Sequence, residues 1–387
     1  MKTINRNLFV VLAGMLLSSC VERYFPAMEI NSKPQIVIEG SITTEGDDQE
    51  IVISESSSLD QPKFTPLSGC NVRVEDDKGH RFPFFESNNA GHYHGMIDEE
   101  SVIIGVHYRL FVQMPNGENY ISKFEELLPC PSVDSVYFEL DSKPTDDANV
   151  TEDGLQFFID FKGNDNYGHF FRWQLVETYE YHSSQPLERW LDKDGYHKLA
   201  GPDYSNYVCY KTDNLSDIFV LSTEGFTQNS YKKFRLNFVN DHTQRLLYKY
   251  SLLVKQYSLS EEAYNFWRNL KKNNQETVDM FGTQPAKVTG NIYNENDTTH
   301  LALGYFSVSS VTSKRILIHS IKGLSFSKVE YCKAQPINGP LPSDRPLYFA
   351  DADNGQGGTV LGIISEECII CKLLGGTTLK PLYWDKK

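Results

Sequence analysis

No basic cluster, no bilayer-length apolar run and no familiar catalytic signature occurs in this 387-residue chain. Each absence excludes something. With 37 Lys and Arg against 51 Asp and Glu, the net charge is −14. No stretch gathers the cations that phosphate backbones or anionic headgroups attract, so nucleic acid is not an expected partner. The longest apolar run, Leu8 to Leu17, is too short to span a bilayer, and no later segment is apolar enough. There is no Gly-x-Ser-x-Gly elbow and no His-Glu-x-x-His pair, which removes the usual hydrolase readings. A carboxylate pair scattered along the chain remains open, because glycosidase acids need not be close in sequence. Internal repeats and coiled-coil heptads are also missing.

Aromatic residues are what the chain has in quantity. They make up 13%, with 22 Tyr and 23 Phe, which favours sheets over helix bundles. The expected fold is mainly β: an immunoglobulin-like sandwich over 34–128, then a larger antiparallel β domain over 129–387 carrying one amphipathic helix. In the first unit Ile36 to Ile38, Ile51 to Ile53, Val72 to Val74, Phe82 to Phe85, Gly91 to Met96 and Tyr108 to Met114 read as short strands. Asp76-Asp77-Lys78-Gly79 and Pro115-Asn116-Gly117 supply turns between them. Leu127 to Ser132, with two prolines flanking Cys130, marks the boundary.

In the second unit Phe171, Trp173 and Leu175 alternate with Arg172 and Gln174, which fall on the opposite strand face. Asp141 to Asp153 reads as an acidic loop, and Asp192 to Gly195 as a hairpin turn. Tyr248, Tyr250, Leu252 and Val254 share one strand face, after which the period changes. Ser260 is a good N-cap, with Glu261 and Glu262 placed where the helix dipole favours negative charge. Ala263, Tyr264, Trp267 and Leu270 recur at helical spacing, so a helix is predicted over 260–272 with Trp267 packing it onto a sheet. Ala334 to Pro346 is proline-rich and reads as irregular.

The first nineteen residues read as a lipoprotein signal peptide. Lys2 and Arg6 precede the short apolar run, which ends Leu17-Ser18-Ser19-Cys20. That ending resembles the bacterial lipobox, which implies cleavage before Cys20, acylation of Cys20 and a tether over 20–33. Cleavage would leave 35 basic and 51 acidic residues, a net charge of −16. Several acyl chains give stable anchoring where one is marginal. Six cysteines follow: Cys70, Cys130, Cys209, Cys332, Cys368 and Cys371. In an exported chain an even count reads as disulfides, with fifteen possible pairings among which sequence does not choose.

Several pieces occur in a fixed order: the Cys20 lipobox, Ile36-Val-Ile-Glu-Gly40, Pro66-Leu-Ser-Gly-Cys-Asn-Val-Arg-Val74, the junction from Tyr250 to Trp267, Gly290-Asn-Ile, Gly304-Tyr-Phe-Ser, and the closing Cys-x-x-Cys…Lys-Pro…Trp384. Together they resemble the Bacteroidota outer-membrane lipoproteins of domain-of-unknown-function family 4249. The resemblance implies a lipid-anchored outer-membrane accessory or binding protein, partnering a TonB-dependent β-barrel transporter in nutrient uptake. A structural or assembly lipoprotein without its own ligand is the alternative. Only Glu22 is acidic in the residues just after Cys20, where surface-displayed relatives carry an acidic run, so the face of the membrane stays open.

No catalytic residue, metal or cofactor is expected. His92 and His94 share a strand face and could grip a metal only with help from His80 or His107. Asp351-Ala-Asp353-Asn-Gly355 opens like an oxygen-ligand calcium loop but lacks the twelfth-position glutamate. Cys368-x-x-Cys371 reads as structural rather than redox, since glycines and no helix follow it. Among the aromatics crowding the early second domain, Trp190, Tyr196, Tyr204 and Tyr207 are the candidates for a ligand platform; core packing is the default for the rest.

Overall fold

A computed structural model describes residues 34–58, 62–145, 147, 151–276, 288–319, 321, 323–324 and 332–385. The signal segment, Cys20 and the tether lie outside the described residues. The described chain is mainly β, with one α-helix and four sheets.

Alternation builds the first unit. Ile38 and Ile42 on Ile36–Thr43, and Ile51 and Ile53 on Asp48–Glu55, point inward and are fully buried. They meet Val72 and Val74 of Asn71–Asp76 and Tyr108, Leu110 and Val112 of His107–Gln113 in one core. Eleven strands form one sheet, nine of them along a single path, and it folds into a sandwich around this core. Gly79 and Gly117 take positive φ at the two expected turns.

Both ends of that path come from far along the chain. Ile292–Asn294 pairs antiparallel with Asn119–Ser122, and Phe306–Ser309 runs parallel to Ile36–Thr43. Ile292, Phe306 and Val308 enter the sandwich core. The sandwich is therefore not the contiguous 34–128 unit expected from sequence; it is completed by the 292–309 segment. Two glycines permit the return. Gly304 has φ +91°, and a Cβ there would lie 2.2 Å from the Ile38 carbonyl oxygen. A Cβ on Gly290 would lie 2.1 Å from the carbonyl oxygen of Gly304. Only glycine lets these backbones approach so closely.

The second unit packs two antiparallel sheets face to face. One is Val133–Pro144, Thr151–Lys162 and Ser230–Asn240. The other is centred on Phe170–His182 and Tyr250–Leu259. Phe157, Phe161, Phe171, Trp173, Tyr250 and Leu252 fill the space between. The acidic loop predicted over 141–153 is a correction: both arms are strand, paired from Val133↔Phe161 out to Pro144↔Thr151. Cross-strand partners offset the charge that suggested a loop. Lys143 pairs with Glu152 in register, Asp141 bonds Arg235 at 2.9 Å, and Ser142 Oγ donates to Asp153 at 2.5 Å.

A third sheet, of Leu187–Asp192, Gly195–Asp203, Leu347–Asp353, Thr359–Ile364 and the short Gln335–Pro336, projects from this body. Disulfides Cys332–Cys368 and Cys209–Cys371 tie it down. The Cys-x-x-Cys pair is thus two separate staples. The chain then closes with Trp384, which is buried, donates its indole N–H to Glu180 at 3.1 Å and lies edge-on to Tyr210.

The expectation that all six later cysteines are bonded is corrected: Cys70 and Cys130 are free. Cys70 is buried in the sandwich core with its sulfur 3.5 Å from Met114 Sδ. Cys130 sits at the junction of the two units, beside Gln256 and Thr312. Burial pushes both thiols above their ordinary pKa. Each is enclosed by a different set of neighbours, and neither faces another cysteine.

Candidate ligand-binding cleft

Helix α1 (Glu261–Glu276) begins where predicted and runs four residues further. The Ala263 N–H donates to Ser260 Oγ at 3.2 Å, the N-cap bond. Ser260 Oγ in turn donates to Glu125 at 2.6 Å, on the sandwich side. Glu125 is buried and also accepts from Tyr305 OH at 2.5 Å and Asn291 Nδ2 at 3.1 Å. Burial raises its pKa against the pull of these three donors, and no cation among the described residues pairs with it. The same burial, with Glu125 beside it, drives the Tyr305 phenol far up. Lys123 adds a rim ion pair to Glu262 at 2.9 Å. The start of the helix is thereby fixed to the first unit.

The helix buries Ala263 and Phe266 most deeply, against Tyr257, Leu259 and Tyr305. Trp267 packs against this cluster as expected but is only half-buried; the deeper anchor is Phe266, which the sequence pattern did not single out. Trp267 also faces a cleft of about 620 Å³ between the units. One wall is the outer face of the sandwich, carrying Glu39, Ser41 and Thr43 on one strand and Asp48, Glu50 and Val52 on the next. Alternation places them there, since Ile38, Ile42, Ile51 and Ile53 take the core face. The other wall carries Arg172 and Gln174, Tyr257, and Phe266, Trp267 and Leu270 of the helix.

Arg172 lies with its guanidinium carbon 3.9 Å from the Trp267 ring centroid and 5.4 Å from that of Tyr257. It makes no ion pair or hydrogen bond among the described residues; its electrostatic neighbour is the Tyr257 phenol. Desolvation pulls its pKa below the usual arginine value, yet an arginine so shifted stays protonated. The Trp267 indole N–H is also buried without an acceptor among the described residues. Tyr257 donates to Gln174 at 2.9 Å, and burial lifts its pKa to about 12. Across the cleft, Glu50 bonds His92 at 2.7 Å and Asp48 bonds His94 at 3.2 Å, while Glu39 is exposed.

The other predicted residues lie elsewhere. Trp190 stacks on His197 at 4.7 Å and donates to Asp192, and Tyr196, 52% exposed, sits nearby against Phe349. Tyr204, 59% exposed, meets Tyr207 edge-on at 5.3 Å, and Tyr207 packs on His182. These are two separate pairs on the projecting sheet and its base. His80 bonds Asp76 and His107 bonds Asp77, so the histidines are each engaged by a carboxylate. Among the described residues no three His, Cys, Asp or Glu side chains converge on a point a metal could occupy. Asp351 pairs with Arg189 at 2.7 Å, and Asp353 accepts the Gly355 N–H within a turn. No helix among the described residues is long and apolar enough to cross a membrane.

No curated protein matches this chain. One solved structure, the trypsin-activated alpha-2-macroglobulin of Escherichia coli, is similar to it at 10% identity and a TM-score of 0.18. That likeness covers 59% of this chain and 15% of the other, and carries no argument about function. The ordered pieces in the sequence have a firmer counterpart: residues 21–315 match the family described as "Domain of unknown function (DUF4249)", and the chain belongs to that family.

Proposed function

We propose that this protein is a lipid-anchored binding accessory of the outer membrane, held by Cys20 and working beside a TonB-dependent β-barrel transporter. The observation that carries the binding role is the cleft between the two units, whose one cation, Arg172, has no carboxylate partner among the described residues. An unpaired desolvated charge is costly to keep, and a site that binds an opposite charge is a reason to keep it. The junction beside the cleft is fastened by Ser260–Glu125, by Lys255–Glu45 at 2.7 Å and by the Val311 N–H donating to Thr44 Oγ1 at 2.9 Å, so the walls are held in place. The anchor and the transporter partner rest on the lipobox and on the family resemblance.

The test is cross-linking in intact cells, then mass spectrometry of the adducts, with the Cys20→Ala protein in parallel. A large β-barrel partner and release of the variant from the membrane fraction are the expected results. Adducts confined to periplasmic assembly factors would favour the structural reading.

A further inference from the structure

We propose that the cleft takes a zwitterionic ligand of the amino-acid or short-peptide class, with a free carboxylate on Arg172 and a free amine toward the acidic wall. This rests on the reading of the chain as a binding protein. One unpartnered cation lines the cavity, and a second unpartnered donor lies buried behind its wall. Among the described residues Arg172 presents donors with no acceptor, and the Trp267 indole N–H is buried with none. Both are donors and they adjoin, with the guanidinium over the indole at 3.9 Å. A carboxylate supplies the charged acceptor that the Arg172 guanidinium lacks.

The facing wall has the opposite character. Glu39 is exposed, and Asp48 and Glu50 line the cleft with only histidines as partners. A simple dianion would be drawn to Arg172 and repelled by three carboxylates. A ligand with one charge of each sign meets an opposite charge on each wall. The cavity of about 620 Å³ falls in the range of small-molecule sites, roughly 300–1,000 Å³. The aromatic rings of Tyr257, Phe266 and Trp267 offer apolar cover for side chains between the two ends.

The experiment is calorimetric titration of the full chain in detergent with trialanine, trialanine amide and N-acetyl-trialanine. Trialanine should bind. Amidation should weaken binding by about tenfold or more, the loss of a charge-assisted contact, and acetylation should weaken it as well. Arg172→Gln should abolish the difference between trialanine and its amide, with Arg172→Lys retaining part of it. Trp267→Phe removes the buried orphan N–H and narrows the ring on which the Arg172 guanidinium lies. It should lower affinity for trialanine while leaving or raising the melting temperature, a split that a purely structural tryptophan would not give. No binding, or equal binding of all three peptides to the wild-type chain, overturns the inference. Because no transporter is present, that failure leaves the accessory role standing; loss of the β-barrel adduct with peptide binding intact would instead remove that role alone.

Discussion

The sandwich and the projecting C-terminal sheet solve the same problem with different means. The sandwich holds Cys70 as a free thiol and is kept together by a broad core of Ile, Val and Tyr drawn from the early strands and from the returning 292–309 segment. The projecting sheet buries little: Tyr348, Ala350, Ile364 and Ile369 are its apolar core, with Cys368 among them. Both disulfides serve this region: Cys332–Cys368 within its flanks, and Cys209–Cys371 joining it to the strand Val208–Asn214 of the neighbouring sheet. A small sheet cannot bury enough apolar area to offset its conformational entropy, so covalent staples supply what the core does not.

Reduction should therefore separate the two regions, and this is the largest effect expected. The bridged segments span 162 and 36 residues, which in the chain-entropy account correspond to about 5 and about 4 kcal/mol. Hydrogen exchange under dithiothreitol should rise across 187–203 and 347–371 while 36–122 stays protected. Equal loss of protection in both regions would break the contrast.

The sandwich should respond to core deletion rather than to reductant. Phe306 is fully buried in its core although it lies far beyond the expected boundary. Phe306→Ala should cost about 3–5 kcal/mol in denaturant unfolding, with loss of protection in 36–55. A change confined to the second unit would mean that the returning strand does not complete the sandwich.

The junction sharpens the comparison through pH. Glu125 carries a raised pKa in the folded state, so the stability it contributes as the protonated acid is full below the unfolded glutamate pKa. That contribution is lost as pH rises through the folded value. Relative to Glu125→Gln, the wild-type chain should lose stability on going from mildly acidic to neutral buffer. Denaturant midpoints of both proteins at the two pH values measure this, and parallel shifts would show that Glu125 is not the titrating group.

The smallest effect is a count. Denatured but unreduced protein should show two thiols, Cys70 and Cys130, besides any unacylated Cys20. Both should be slow to react in the native state, because burial disfavours the thiolate. Finding none would extend disulfide bonding to the sandwich and erase the contrast.

What the sequence alone determined is local. Period-two alternation set which side of each strand faces a core, including the outward placing of Arg172 and Gln174. The change of period after Leu259, with Ser260 as cap, set the start of the helix. Turn glycines set the hairpins at Asp76–Gly79 and Asp192–Gly195. These are decided by contacts within a few residues, so they are written in the order of the residues. Only the tertiary structure decided which cysteines pair, that 292–309 returns to complete the sandwich, and that Arg172 lies on Trp267 in one wall of a cleft. Each of these joins residues tens to hundreds of positions apart, and strand periodicity is the same whichever distant strand lies alongside. Gly290 and Gly304 were visible as ordered motifs, but the reason for them, one backbone passing against another, exists only once the chain has folded back on itself.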